Sequence, residues 1–158
     1  MTTIQVGVVA PDFELSSHRG DTVRLSSFRG AKHVVLVFHP LAFTPVCATQ
    51  MQNYENEGTW FDEHETQVLG LSVDAVPAKI EWAKLLGGIG FDLLSDFHPH
   101  GAVAEAFGVL RHDGISERAV IVVDKGGVVR FAKVYDIPTV PDNGEVRQVI
   151  EALGPTIG

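Results

Sequence analysis

The chain has a single cysteine, Cys47, among its 158 residues, so it cannot form an internal disulfide, as expected for a reducing compartment. Basic residues are also few, since 12 Lys and Arg against 20 Asp and Glu give a net charge of -8. That balance argues against a nucleic-acid partner. No apolar run approaches the roughly 20 residues of a membrane span, and the N-terminus has no basic region followed by an apolar core. These absences predict a cytoplasmic protein with neither a membrane nor a nucleic-acid partner.

The length fits one domain spanning residues 1–158, which would bury roughly two thirds of its unfolded surface. Apolar runs and turn signals predict strands at 22–25, 34–38, 67–73, 118–123 and 127–134, and helices that begin at residues 45, 77, 101 and 145. The last two strands form a hairpin around a glycine-containing turn at 124–127. This alternation predicts an α/β protein in which a central mixed sheet has helices on both faces.

Cys47 follows the apolar run 34–38 after a short loop that contains Pro40. Thr44 and Pro45 are typical of a helix start, with a hydroxyl cap followed by proline at the first helical position. Cys47 therefore falls in the first helical turn, where unpaired N–H groups and the positive end of the helix dipole favour a thiolate. A lone cysteine is more often a small buried apolar residue, but packing alone does not require this succession of strand, loop and capped helix.

The segment Pro40-x-x-x-Thr44-x-x-Cys47 resembles the active-site motif of the peroxiredoxins, which are thiol peroxidases with a thioredoxin-like fold. Four further segments match family landmarks in the family order: Ala10-Pro11-Asp12-Phe13, Leu71-Ser72-Val73-Asp74, Leu93-Leu94-Ser95-Asp96, and Arg118 ahead of Val120-Ile121-Val122-Val123-Asp124. The resemblance covers about residues 5–135. Residues 40–44 and 91–103 are most similar to the one-cysteine alkyl hydroperoxide reductase E group. The resemblance implies a thioredoxin-like fold and a peroxidase that acts as a homodimer.

The resemblance also assigns roles to four residues. Cys47 is the nucleophile that attacks the peroxide. The Thr44 hydroxyl has two candidate roles, since it could cap the Cys47 N–H or, as the resemblance implies, hydrogen-bond the sulfur and the peroxide. Arg118 matches the arginine that favours the thiolate and contacts the substrate, and Pro40 fixes the backbone and screens the sulfur from water.

The absence of a second cysteine determines how the oxidised Cys47 must be reduced again. Gln50 occupies the second position of a possible Cys-x-x-Cys pair, so the chain is not a dithiol oxidoreductase of the thioredoxin type. A sulfenic acid on Cys47 must then be reduced by an external thiol. The candidates are glutathione, mycothiol, a glutaredoxin-like or mycoredoxin-like protein, and thioredoxin. We expect no metal and no organic cofactor.

Two positions depart from the family pattern. His39 stands where the family commonly has an aromatic residue, and it either fills space, tunes the thiol or donates a proton. Gln50 replaces an acidic residue, which puts the polar network behind the sulfur in question.

His98 and His100 flank a proline without a third clustered ligand, a pattern more typical of a solvated turn than of a metal site.

Two other function classes remain open at this level. One is a thiol transferase of the thioredoxin fold, in which the attacked atom is sulfur rather than oxygen. The other is a non-enzymatic redox-sensing or interaction module that retains only the fold. Rapid reaction with peroxide would favour the peroxidase, whereas an inert Cys47 would favour the interaction module.

Overall fold

The computed structural model describes residues 2–154 and contains seven strands and five α-helices in that range. The strands are β1 (Glu14–Ser17), β2 (Thr22–Arg24), β3 (His33–Phe38), β4 (Thr66–Ser72), β5 (Leu93–Ser95), β6 (Arg118–Val123) and β7 (Val129–Tyr135). The helices are α1 (Pro45–Asn56), α2 (Gly58–Glu63), α3 (Val76–Leu85), α4 (Ala102–Ala106) and α5 (Asn143–Leu153), with a 3-10 turn at Leu25–Phe28. Within residues 2–154, no helix is both long enough and apolar enough to cross a membrane.

All seven strands form one mixed sheet in the order β2-β1-β5-β4-β3-β6-β7. Strands β3, β4 and β5 are parallel, whereas β6 runs antiparallel to β3. Phe38, the last residue of β3, is aligned with Leu71 of β4 and Ala119 of β6. The carboxyl ends of three parallel strands and the beginning of β6 therefore meet at one edge of the sheet. In α/β proteins, loops at such an edge commonly carry the functional groups.

The central strand β3 is buried along its whole length. Val35 and Val37 belong to one apolar cluster, which includes side chains of α1, α3 and α5. Val34, Leu36 and Phe38 belong to a second cluster, which includes residues of α4. Because successive side chains of a strand point to opposite faces, β3 has core on both sides. This arrangement confirms the predicted sheet with helices on both faces.

A glycine in β4 lets α1 approach the sheet closely. A Cβ atom at Gly70 would lie 2.8 Å from the Leu93 side chain and 3.3 Å from the sulfur of Met51. Met51 lies one helical turn after Cys47, and both side chains are fully buried. The missing Cβ thus allows the first turns of α1 to pack against the sheet beside its functional edge.

Helix α3 differs from the sequence prediction. It begins at Val76 rather than at Pro77. Leu85, the last residue of the helix, is 72% exposed. The residues that α3 buries are Lys79, Trp82 and Ala83. The buried face of α3 therefore includes a lysine, a residue type that is rarely buried.

Candidate active site

Cys47 is the third residue of α1, directly after the loop that leaves β3. Thr44 is the extended N-cap residue, with φ -109° and ψ 144°, and Pro45 follows at the first helical position. These positions confirm the predicted helix start. The sulfur is fully buried. Burial in general disfavours a thiolate, whereas the first turn of a helix and a neighbouring cation favour one.

Arg118 supplies that cation. It is the first residue of β6 and is 1% exposed. Its Nη2 donates to Cys47 Sγ at 3.3 Å, its Nη1 donates to Gln50 Oε1 at 2.8 Å, and its Nε donates to the carbonyl of Ile137 at 2.8 Å. Three partners fix the plane of the guanidinium. A permanently charged group is thereby held against the sulfur and favours its anionic form.

Gln50 completes the polar network behind the sulfur. It lies within one helical turn of Cys47 on α1, and its side chain is fully buried. The amide oxygen accepts the Arg118 hydrogen bond that a carboxylate would otherwise accept. Because the amide is neutral, it orients the guanidinium without cancelling its charge. Gln50 therefore helps to hold Arg118 in place and leaves the Arg118 charge for the sulfur.

The predicted cap by the Thr44 side chain is not formed. No side chain caps the N-terminus of α1, and the Thr44 hydroxyl donates instead to the carbonyl of Leu41 at 2.9 Å. A threonine hydroxyl often bonds a nearby backbone carbonyl in this way, and here the carbonyl belongs to the same loop. The prediction that this hydroxyl caps the Cys47 N–H is therefore wrong for this structure. Its predicted role toward the peroxide stays a prediction.

The loop before Cys47 is held in an uncommon conformation. Phe43 has φ +65°, in the left-handed region that non-glycine residues rarely adopt. The Asp74 carboxylate, just beyond β4, accepts hydrogen bonds from the Ala42 N–H at 2.8 Å and from the Ser72 hydroxyl at 2.5 Å. Pro40 is buried at the start of the loop. The loop is thus tied to the end of β4. The predicted screening role of Pro40 stays a prediction.

The structure adds a buried lysine that the sequence analysis missed. Lys79 of α3 is fully buried, and its Nζ lies 3.5 Å from His39 Nε2. The His39 ring packs on Trp82 with centroids 5.2 Å apart. Burial lowers the pKa of Lys79 to about 7, opposed by attraction to Asp74 and Cys47. A lysine three residues before Trp82, on the same helical face, is the sequence signal that could have revealed it.

Burial and two cations keep His39 neutral. The pKa of His39 lies well below its ordinary value, first because of burial and then because of Lys79 and Arg118. His39 thus fills space beside Trp82 and also contacts a charged group.

His98 and His100 flank a proline. A ring nitrogen of His100 lies 2.6 Å from the carbonyl oxygen of Gly114. Across residues 2–154, no three His, Cys, Asp or Glu side chains are grouped as metal ligands would be.

The amino-acid sequence of this chain is similar to those of known proteins. Residues 6–132 match the model of the AhpC/TSA family. Alkyl hydroperoxide reductase E of Mycobacterium tuberculosis is 42% identical over 151 residues, covering 95% of this chain and 98% of the relative. The chloroplastic 2-Cys peroxiredoxin BAS1 of Spinacia oleracea is 34% identical, covering 94% of this chain and 59% of the relative.

Solved structures show the same likeness. The reduced 2-Cys peroxiredoxin of Plasmodium vivax superposes with a TM-score of 0.86 at 30% identity, covering 94% of this chain and 81% of that one. Mycobacterium tuberculosis AhpC superposes with a TM-score of 0.85 at 25% identity, covering 96% and 94% of the two chains. The sequence motif, the buried Cys47–Arg118 contact and these similarities lead to one conclusion: the chain belongs to the AhpC/TSA family of peroxiredoxins, with a thioredoxin-like fold.

Proposed function

We propose that this peroxidase is a one-cysteine peroxiredoxin that reduces hydrogen peroxide, organic hydroperoxides and peroxynitrite through Cys47. The observation that carries the proposal is the 3.3 Å contact between the Arg118 guanidinium and the only cysteine sulfur of the chain. The name of the mycobacterial relatives, alkyl hydroperoxide reductase E, supports organic hydroperoxides as one substrate class.

The proposed reaction needs one nucleophile and a site for negative charge. The Cys47 thiolate attacks one peroxide oxygen, so an S–O bond forms while the O–O bond breaks. The other oxygen leaves with the bonding electron pair and takes up a proton. Negative charge therefore moves from the sulfur to the departing oxygen. A hydrogen-bond donor held close to both atoms stabilises this charge in the transition state. Arg118 has the position for this role at the sulfur, and Thr44 supplies a second donor from the loop when its hydroxyl proton turns from the Leu41 carbonyl to the peroxide.

Recycling completes the proposed cycle. The product is a sulfenic acid on Cys47, and an external thiol attacks its sulfur to form a mixed disulfide while the sulfenic oxygen leaves as water. A second thiol then attacks the external sulfur, which releases Cys47 and leaves the two external thiols joined as a disulfide. Glutathione, mycothiol, a glutaredoxin-like or mycoredoxin-like protein, and thioredoxin are the candidate reductants. The cycle requires no metal and no organic cofactor, and we propose that the enzyme acts in the cytoplasm as a homodimer.

Rapid mixing tests the proposal. The reduced protein is mixed separately with hydrogen peroxide, an organic hydroperoxide and peroxynitrite, and the mass of the Cys47 peptide is followed with time. We expect the addition of one oxygen, trapped as a mixed disulfide when a thiol is added. Cys47→Ser is the control and should show neither product. If the peroxides leave wild-type Cys47 unmodified while a disulfide substrate reacts, the chain is a thiol transferase instead.

A further inference from the structure

A second cation lies close to the active site without contacting any carboxylate. Within residues 2–154, the ammonium of Lys79 has one hydrogen-bond partner, His39 Nε2 at 3.5 Å, and no carboxylate oxygen within 4.0 Å. The His39 ring packs on Trp82, which is itself 1% exposed. A buried ammonium without a paired anion is costly unless a nearby group holds its charge.

The charged and titratable groups that act on Lys79 come from several elements. They are Cys47 on α1, Asp74 after β4, Asp96 after β5, His39 after β3 and His18 after β1, while Arg118 on β6 acts in turn on His39. The Asp96 carboxylate accepts hydrogen bonds from the N–H groups of Val103 and Ala104. The Asp74 carboxylate accepts hydrogen bonds from the Ala42 N–H and the Ser72 hydroxyl. The Cys47 thiolate is thus the one anion near Lys79 whose charge the proposed reaction removes.

Oxidation of Cys47 changes the charge balance of this region. A thiolate is negative, whereas the sulfenic acid is neutral, so Arg118 loses the anion that it contacts and Lys79 loses one of the negative charges that attract it. Arg118 cannot release a proton at accessible pH. Lys79 can, because burial already places its pKa at about 7 and the attraction to Cys47 contributes to holding its proton. Interactions between two titrating groups are reciprocal, so the loss of one charge weakens the hold on the other.

We propose that Lys79 is a positioning residue that balances the charge of Cys47, retaining its proton beside the thiolate and releasing it when the sulfur becomes a sulfenic acid. The inference rests on the proposed peroxidase function. In the overall step, the sulfur gives two electrons to the peroxide, the O–O bond breaks and an S–O bond forms. The departing oxygen takes up one proton, and Lys79 releases up to one, so the net uptake from solution lies between zero and one. This proton count holds whichever route the proton takes.

Proton counting tests the proposal. The reduced protein is mixed with one equivalent of hydrogen peroxide in weak buffer, proton uptake is read with an indicator dye, and thiolate loss is read by ultraviolet absorbance. Without a linked group, one proton is taken up for each thiolate consumed. With Lys79 linked, uptake falls near and just below pH 7. The depth of this minimum measures how strongly Lys79 and Cys47 are coupled.

The pH dependence has a defined shape. Well below pH 7, Lys79 stays protonated in both states, and well above pH 7 it is neutral in both, so uptake returns to one proton at each end. Lys79→Met and Lys79→Arg should both take up one proton at every pH, because neither side chain titrates in this range. Lys84→Met removes a lysine of the same helix that is 69% exposed, and it should retain the wild-type minimum.

The outcomes are separable. A wild-type protein that takes up one proton per thiolate at every pH overturns the inference even if no variant folds. A minimum that persists in Lys79→Met assigns the proton to another group and also overturns it. If peroxide consumes no thiolate, the proposed function fails first, which is a different observation. A minimum near pH 7 that disappears in both Lys79 variants supports the role.

Discussion

Replacing Arg118 separates its two proposed roles, ionising the sulfur and stabilising the departing oxygen. Arg118→Met keeps an apolar stem of similar length but removes the charge and every donor. The variant should therefore have a smaller thiolate fraction at neutral pH. It should also react more slowly with peroxide once all of its sulfur is thiolate, because a donor held in place for the transition state is missing.

The structure sets the magnitudes. Loss of one preorganised donor slows a reaction by about a hundredfold or more, so this deficit should persist at high pH. The substitution also removes the hydrogen bonds to Gln50 Oε1 and to the Ile137 carbonyl, both 2.8 Å long. Each polar group left without a partner in the interior costs about 1–3 kcal/mol of unfolding free energy. Arg118→Met should fold, but with measurably lower stability.

The assay compares rates only where the sulfur is equally ionised. Thiolate absorbance is titrated for each variant, and peroxide reaction is then timed by stopped flow at a pH at which the thiolate is complete. Arg118→Lys restores a charge without the planar guanidinium, so it should recover thiolate formation better than rate. Arg130→Ala is the matched control, since Arg130 is 45% exposed and pairs with Asp124 away from Cys47. Full recovery of the Arg118→Met rate at high pH would refute the role in transition-state stabilisation.

Four further outcomes are expected. Cys47→Ser should abolish peroxide consumption with little change in the thermal unfolding curve, and residual turnover would contradict the assigned nucleophile. Thr44→Val should slow peroxide reduction by about tenfold to a hundredfold with less effect on thiolate absorbance, since it removes a hydroxyl donor but no charge. Asp96→Ala should lower the unfolding free energy by about 2 to 4 kcal/mol in chemical denaturation, because two N–H groups at the start of α4 lose their acceptor. Lys79→Met should raise stability at neutral pH by up to about 5 kcal/mol, and the gain should shrink toward pH 10.5.

The sign of the Lys79 effect follows from proton linkage. Folding lowers the pKa of this amine from 10.5 to about 7, so the unfolded chain binds more protons between those values. Stability therefore rises with pH across that window, and the cost of burying Lys79 is largest below it. Methionine removes the cost at all pH values. Unfolding curves of both proteins at neutral and alkaline pH measure the difference, and a gain that is constant with pH would contradict the linkage.

The sequence predicted the elements with long, uniform patterns. The buried run of β3, the Thr44–Pro45 start of α1 and the hairpin of β6 and β7 all appear as expected. Three elements were missed because their local signals are weak. Strands β1 and β5 have four and three residues, and α2 is a six-residue helix that begins at a glycine without a side-chain cap. Pairing to neighbouring strands, rather than local propensity, stabilises such short strands.

The site was predictable only in part. The position of Cys47 in the first turn of α1 follows from its own neighbours in sequence, because a cap and a proline act locally. The contact between Arg118 and Cys47 does not follow from neighbouring residues, since it depends on β6 lying beside β3 rather than beside β4. The family resemblance, not the local pattern, suggested that approach. Lys79 was missed for another reason: burial of a lysine is rare enough that sequence patterns assign it to the surface.

The reactivity expected of Cys47 depends on the assembled sheet. The helix start that carries the sulfur follows β3, the cation that faces it begins β6, and the carboxylate that ties its loop follows β4. These three groups are 27 to 71 residues apart in sequence, and the strand order brings them to one edge. An unfolded chain retains the motif of residues 40–47 but loses the Arg118 contact. The cation contact at Cys47 is thus a property of the fold, so destabilising changes far from Cys47 should lower peroxide reactivity in proportion to the folded fraction.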